Sequence, residues 1–285
     1  MNQLSAVGYI GLGDIGKPSA VRLLDGPWTT YVYDVVEDAV AELEKLGAKG
    51  CSSPAELAAA CQHIGICVRD ESQVQALLYG EQGLFANAAP GTVIAIHSTL
   101  ACSVLKLWAG DAEAAGVRLI DAAITGGRQG AENGTLCYMV GGSAADVERA
   151  KPVFETSAER IVHAGDLGAG MLLKLCNNLI TYAEFLAMSE ACRLAEAGGL
   201  SINVLREVGL SNGVVNESMH RFVENRNAIS AKASEQDMET YFGPFGRLGE
   251  KDLDCALASA RDLGVELPST ERLREVVYDL FMNKA

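Results

Sequence analysis

With 285 residues, 49% of them hydrophobic, the chain is long enough for two domains with substantial cores, which excludes disorder as the default. Its formal net charge of -14 argues against a general affinity for nucleic acid or anionic membrane, so any anionic ligand needs a local basic pocket. No apolar run reaches the roughly 18 residues of a spanning helix, and no basic stretch followed by a cleavable apolar segment opens the chain. A soluble, cytosolic protein is expected.

The first element is the apolar run Ala6 to Ile10, which leads into Gly11, Leu12, Gly13, Asp14, Ile15 and Gly16; a helix-compatible stretch, Ser19 to Leu24, follows. The order is strand, tight turn, helix. A second apolar run, Thr30 to Tyr33, ends in Asp34, about twenty residues beyond the glycines, where a dinucleotide fold places an acid against ribose hydroxyls. Gly11 permits the turn, Gly13 lets backbone N–H groups approach a pyrophosphate, and Gly16 lets the helix pack on the strand. Pro18 suits a helix's first turn, where its missing N–H is no loss. Asp34, followed by Val35 and Val36 instead of an arginine, favours NAD as the cofactor over NADP.

Further strands are expected at Ile64 to Val68, Val93 to Ile96, Val117 to Ile120, Cys137 to Val140 and Arg160 to His163, with helices such as Pro54 to Cys61 and Ala144 to Phe154 between them. This alternation predicts a mainly parallel sheet with helices on both faces. From Ala169 to Ala197 a helix-compatible segment runs without Pro and with only Gly170 near its start, until Gly198-Gly199 stops it. Helices are then expected over Ile202 to Val208, Glu217 to Asn227, Glu250 to Asp262 and Ser269 to Met282. The fold class is therefore α/β: an N-terminal Rossmann-type dinucleotide-binding domain, residues 1–165, and an all-helical C-terminal domain, residues 166–285, joined through the long helix.

Eight cysteines without a CxxC pair read as reduced core residues, and no metal site is expected. His63, His97, His163 and His220 lack metal spacing and an evident acid partner, and are read as structural.

Three more stretches extend the opening motif: DAAITGGRQGAENGTL (121–136), GAGMLLKLCNN (168–178) and FGRLGEKDL (245–253). Together, in this order and across almost the whole chain, they resemble the 3-hydroxyisobutyrate dehydrogenase family of β-hydroxyacid dehydrogenases, relatives of 6-phosphogluconate dehydrogenase. The resemblance implies a catalytic Lys174 with Asn178 as its substrate-orienting partner, a substrate site at Thr125, Gly126, Gly127 and Lys251, and Thr99 beside the nicotinamide. Cys67 and Val68 are assigned to the same cofactor site as Gly11 to Gly16 and Asp34. It also implies a homodimer or homotetramer and a small anionic substrate. The chain departs from the family pattern at Ala123, usually proline, at Thr125, usually serine, at His97, often Asp, and at Ala101 to Ser103, where a proline is usual.

Lys174 and Asn178 lie four apart on a helix, so both project from one face and can reach one oxygen. Oxidising an alcohol needs a proton taken from its hydroxyl, which an amine can do only when burial or a neighbouring cation brings its pKa well below about 10.4. Lys251 is the candidate cation, and the apolar residues around Lys174 lead one to expect a buried helix. Arg128 is left between a carboxylate contact and a solvated role. The expected function is NAD-dependent interconversion of a small β-hydroxy acid and its semialdehyde or keto acid. The alternatives are an imine reductase, which typically carries Asp or Tyr in place of Lys174, and a catalytically silent nucleotide-binding protein.

Overall fold

The computed structural model describes residues 4–284. It divides into two compact units, Met1–Lys174 and Leu175–Ala285. In the first, strands and helices alternate: β1 (Ala6–Ile10), α1 (Gly16–Leu23), β2 (Thr29–Tyr33), α2 (Glu37–Glu44), β3 (Lys49–Gly50), α3 (Pro54–Ala60), β4 (His63–Ile66), α4 (Glu71–Leu78) and α5 (Leu84–Asn87). The series continues with β5 (Val93–Ile96), α6 (Cys102–Ala114), β6 (Arg118–Thr125), α7 (Gly127–Asn133), β7 (Leu136–Gly141), α8 (Ala144–Phe154) and β8 (Ala158–Gly165). The strands form one sheet in the order β3-β2-β1-β4-β5-β6-β7-β8. All pairings are parallel except β6 with β7.

Apolar side chains on both faces of the central strands, among them Val7, Ile10, Ile64, Ile66, Ile94 and Ile96, are fully buried, as a helix-covered parallel sheet requires. The chain runs outward from β1 to one side through β2 and β3, then returns to start the other side at β4. That reversal opens a crevice at the carboxyl ends of β1 and β4, where ligands of open α/β sheets bind.

Element boundaries differ from the sequence pattern in instructive places. β4 stops at Ile66, so Cys67 and Val68 lie in the loop beyond it. β6 reaches Thr125, well past the expected Ile120, because the polar Asp121 that interrupts its apolar run is itself fully buried and hydrogen-bonded. Of the eight thiols, all free, only Cys51, Cys61 and Cys192 are core residues; Cys67, Cys102, Cys137 and Cys255 are half-buried and Cys176 is exposed.

The helix α9 (Ala169–Ala197) begins at the end of the first unit. The second unit continues with α10 (Ile202–Asn212), α11 (Glu217–Ser230), α12 (Glu235–Tyr241), α13 (Gly243–Asp262) and α14 (Pro268–Phe281). α12 opens with a capping box in which Ser234 and Asp237 satisfy each other's backbone N–H groups. α13 starts at Gly243, seven residues before the sequence pattern places it, because glycine is a poor helix former. Here the glycines serve packing: a Cβ on Gly246 would stand 2.8 Å from Tyr278 Cδ2 and one on Gly249 2.9 Å from Val277 Cγ2, so they let α14 approach closely.

Candidate active site

At the end of β1, Gly11 has φ +93°, and a Cβ there would meet the Cys67 carbonyl oxygen at 2.3 Å. A Cβ on Gly16 would stand 1.9 Å from the Gly11 oxygen. The protein's own packing thus demands both glycines. Gly13 is different: a Cβ there would meet nothing within 4 Å, so the protein's own packing does not require its bareness and the space beside it is open to a ligand. Ile15, the cap of α1, offers no side-chain hydrogen bond; in the first turn the Lys17 N–H donates to the Gly13 carbonyl at 3.0 Å and Pro18 has no N–H, so an anion there would draw on the N–H groups of the turn before them.

Asp34, just beyond β2, accepts from the Leu12 N–H at 2.5 Å and from the Val36 N–H at 2.8 Å. It therefore holds the glycine turn shut beside the cradle, while Val35 and Val36 stand exposed. Cys67 and Val68 border the turn from the end of β4, and Ser98 ties Val68 down. Its hydroxyl accepts from the Val68 N–H at 2.9 Å and donates to the Val68 carbonyl at 2.7 Å. These residues fit a dinucleotide: an open cradle at Gly13, a helix end without a side-chain cap and a carboxylate at the ribose position.

Thr99 follows β5 and Thr125 ends β6, at the same edge of the sheet as the cradle. Gly126 and Gly127 have φ of +123° and +61°, a turn that side chains with a Cβ adopt at a cost. Arg128 donates to Glu132 at 2.7 Å and reaches Asp14 of the cradle at 3.4 Å, so acids of the protein itself engage it.

Lys174 and Asn178 are both half-buried on α9. The expectation of a buried helix there fails, because only the face carrying Met171, Leu175 and Tyr182 is covered. Leu173, Cys176 and Ile180 on the other face are exposed. Within the second unit, Asn178 Nδ2 donates to Asp252 Oδ2 at 2.7 Å, and the Tyr182 hydroxyl donates to the same oxygen at 3.0 Å. Lys251 Nζ lies 3.2 Å from Asp252 Oδ1. Burial and the adjacent Asp252 carboxylate push the Tyr182 hydroxyl above its ordinary pKa, so it remains a donor.

Asp252 is a buried carboxylate that aligns Asn178, and neither it nor Tyr182 was singled out by the sequence pattern as a site residue. The available signal was an acid on the apolar face of α13, beside the buried Leu253 and Ala256. The histidines are structural. His97 donates from Nδ1 to the Ala122 carbonyl at 2.8 Å and stacks on Tyr9, and burial lowers its pKa to about 4. His63 is buried against Phe154. His163 bridges the Gly142 and Gly165 carbonyls, and His220 does have an acid nearby, Glu224 at 3.7 Å.

Residues 6–165 match the family model described as the NAD binding domain of 6-phosphogluconate dehydrogenase. Residues 168–283 match that described as the NAD-binding domain of NADP-dependent 3-hydroxyisobutyrate dehydrogenase. The chain belongs to the 3-hydroxyisobutyrate dehydrogenase family. Within it, a 3-hydroxyisobutyrate dehydrogenase of Pseudomonas aeruginosa is 33% identical over 93% of this chain and 88% of its own. A 2-(hydroxymethyl)glutarate dehydrogenase of Eubacterium barkeri is 31% identical over 97% and 89%. Among solved structures, a Mycobacterium tuberculosis 3-hydroxyisobutyrate dehydrogenase determined with L-serine superposes with a TM-score of 0.85 at 25% identity, covering 99% of this chain and 96% of that one. Membership makes the chain an NAD(P)-dependent oxidoreductase of the β-hydroxyacid dehydrogenase class, with a Rossmann-like domain followed by a helical one.

Proposed function

We propose that the protein uses NAD to interconvert a small β-hydroxy acid and its semialdehyde or keto acid, with Lys174 as general acid/base. The observation that carries this reading is the state of Asn178. One turn after Lys174, its amide is fixed by the buried Asp252, so its remaining polar groups are oriented and not free to rotate. A pair of this kind suits one substrate hydroxyl: the lysine exchanges the proton and the amide holds the oxygen.

When bound, the nicotinamide supplies the hydride acceptor for oxidation and the donor for reduction. The residues of this chain do the rest. The glycine turn around Gly13, at the start of α1, receives the pyrophosphate, and Asp34 accepts from the ribose hydroxyls. Thr125, Gly126, Gly127 and Lys251 hold the substrate carboxylate, and Lys174 takes the hydroxyl proton as the carbon–hydrogen bond breaks. NAD is favoured because Asp34 would repel a 2′-phosphate and the two residues after it are exposed valines, not cations. Exposed apolar side chains on and beside α9 and α10, including Leu194, Val208 and Val214, support self-association as a dimer or tetramer.

The test is a spectrophotometric screen of NAD and NADP against a panel of β-hydroxy acids: 3-hydroxyisobutyrate, glycerate, 3-hydroxypropionate, serine and sulfonated analogues. NADH formation with at least one acid is expected. Silence across the panel with both cofactors would reject dehydrogenase action.

A further inference from the structure

The first turn of α9 is seated in the sheet by an unusual set of contacts. Asp121, in the middle of β6 and fully buried, accepts from the Gly168 N–H through Oδ1 and from the Met171 N–H through Oδ2, each at 2.6 Å. Ala169 N–H donates to Asp166 O and Leu172 N–H to Gly168 O, both at 2.9 Å. The helix end that could have faced an anion is therefore closed by the protein's own carboxylate.

The backbones here are in direct contact. A Cβ on Gly170 would stand 2.3 Å from the Met139 carbonyl oxygen of β7, and one on Gly141 would stand 2.3 Å from Asp121 Oδ1. Gly168 turns the chain into the helix at φ +94°. The Leu100 N–H, next to Thr99, also points at Met171 Sδ at 3.4 Å. Thus two of the glycines in GAGMLLK shape a socket for the helix, with Asp121 as its floor.

We propose that Asp121 is the positioning residue for Lys174: its two carboxylate oxygens fix the register and tilt of the turn from which the lysine projects. Lys174 lies three residues beyond Met171, less than one turn from the bonded N–H. A helix held by two short hydrogen bonds and backbone contact transmits little play over that distance. Asparagine cannot substitute fully, since it presents one acceptor oxygen and would aim an NH₂ at one of the two N–H groups. This inference rests on the proton-transfer role of Lys174 given above.

The experiment compares wild type, Asp121→Asn, Lys174→Ala and the double variant, using whichever panel acid the wild type turns over. Asp121→Asn should lower kcat at least tenfold and keep NAD affinity within about twofold, because the cradle at β1 and β2 is untouched. Added to Lys174→Ala, it should change kcat less than twofold. The rate at which trace acetic anhydride modifies Lys174, read by peptide mass spectrometry, should change at least twofold in Asp121→Asn, with no substrate needed.

Gly168→Ala is the gentler perturbation of the same seat. Its Cβ would meet nothing nearer than 3.8 Å, so the change falls on the left-handed backbone alone. It should reproduce the kcat loss in smaller measure, and it carries the test if Asp121→Asn does not fold. Independent, multiplying losses from Asp121→Asn and Lys174→Ala would overturn the proposal while leaving the lysine's role intact. Unchanged kcat and Lys174 reactivity in the folded seat variants would also overturn it. Wild-type kcat in Lys174→Ala would instead remove the proton-transfer role itself.

Discussion

Two buried histidines make the first unit sensitive to mild acid, and the size of the effect can be worked out. His63 is 1% exposed, and neither of its ring nitrogens has a hydrogen-bond partner among the described residues. Burial, reinforced by His97 and Arg149, lowers its pKa from 6.5 to about 3, and His97 falls to about 4. Both are neutral in the fold, while the unfolded chain takes up protons as pH drops below 6.5. Stability is therefore whole above that pH and is lost as pH falls, until each folded-state pKa is reached. At pH 5.5 each histidine costs about 1.4 kcal/mol, or about 3 kcal/mol together. In His63→Leu, which replaces two unsatisfied buried nitrogens by hydrocarbon, stability at pH 7 should be equal or higher, and the loss between pH 7 and 5.5 should shrink by about half. Both tryptophans, Trp28 and Trp108, belong to the first unit, so urea unfolding followed by tryptophan fluorescence reads that unit alone. The Asp121 carboxyl, raised by burial, acts in the opposite direction but equally in both proteins. An identical pH dependence in wild type and His63→Leu would refute the assignment.

Gly13→Ala should fold with near-normal thermal stability yet lose NAD affinity, measured by fluorescence titration; Gly16→Ala, with its Cβ 1.9 Å from the Gly11 oxygen, should fail to fold. Asp34→Ala removes acceptors worth about 1.5 to 3 kcal/mol as charge-assisted bonds, so NAD should weaken roughly ten- to a hundredfold and NADP less. Because Asp34 also holds the Leu12 N–H, Asp34→Asn should recover part of the loss. Lys174→Ala should cost about 10²- to 10⁴-fold in kcat with NAD affinity intact, and Lys174→Arg should not rescue it, since a guanidinium stays protonated at working pH. Lys251→Ala should chiefly raise KM for the acid in initial-rate assays, with little effect on a matching neutral alcohol.

The order of the longer elements was legible because they announce themselves locally, whereas the two-residue β3 and the short α12 did not. Short runs rich in apolar residues mark the strands, several of them closed by Gly or Asp, and the stretch Ala169 to Ala197 matches α9 at both ends. What escaped was set by partners distant in sequence. Glycines at 246 and 249 argue against a helix until one sees that α14 needs the space they leave, while Gly243 makes room for the Glu239 side chain of α12. Asp121 breaks the apolar run of a strand, and only the arrival of Gly168 and Met171, 47 and 50 residues later, makes its burial affordable.

The candidate site shows the same division. GxGxxG and Asp34 are short patterns whose spacing carries a geometric meaning, so they could be read directly, whereas the motif around Lys174 drew its meaning from the family resemblance. The supporting roles could not, even where the residues belong to matched motifs: Ser98 acts by clamping Val68, thirty positions away, and Asp252 by orienting Asn178, seventy-four away. The three cradle glycines make the distinction concrete. Gly11 and Gly16 are fixed by packing against Cys67 and against each other, so a plain structural turn would demand them equally. Only Gly13, bare against open space, is not demanded by the chain's own packing. Its sequence position is no different in kind from the other two, and the structure alone separates the glycine that packing leaves unconstrained from those that serve the fold.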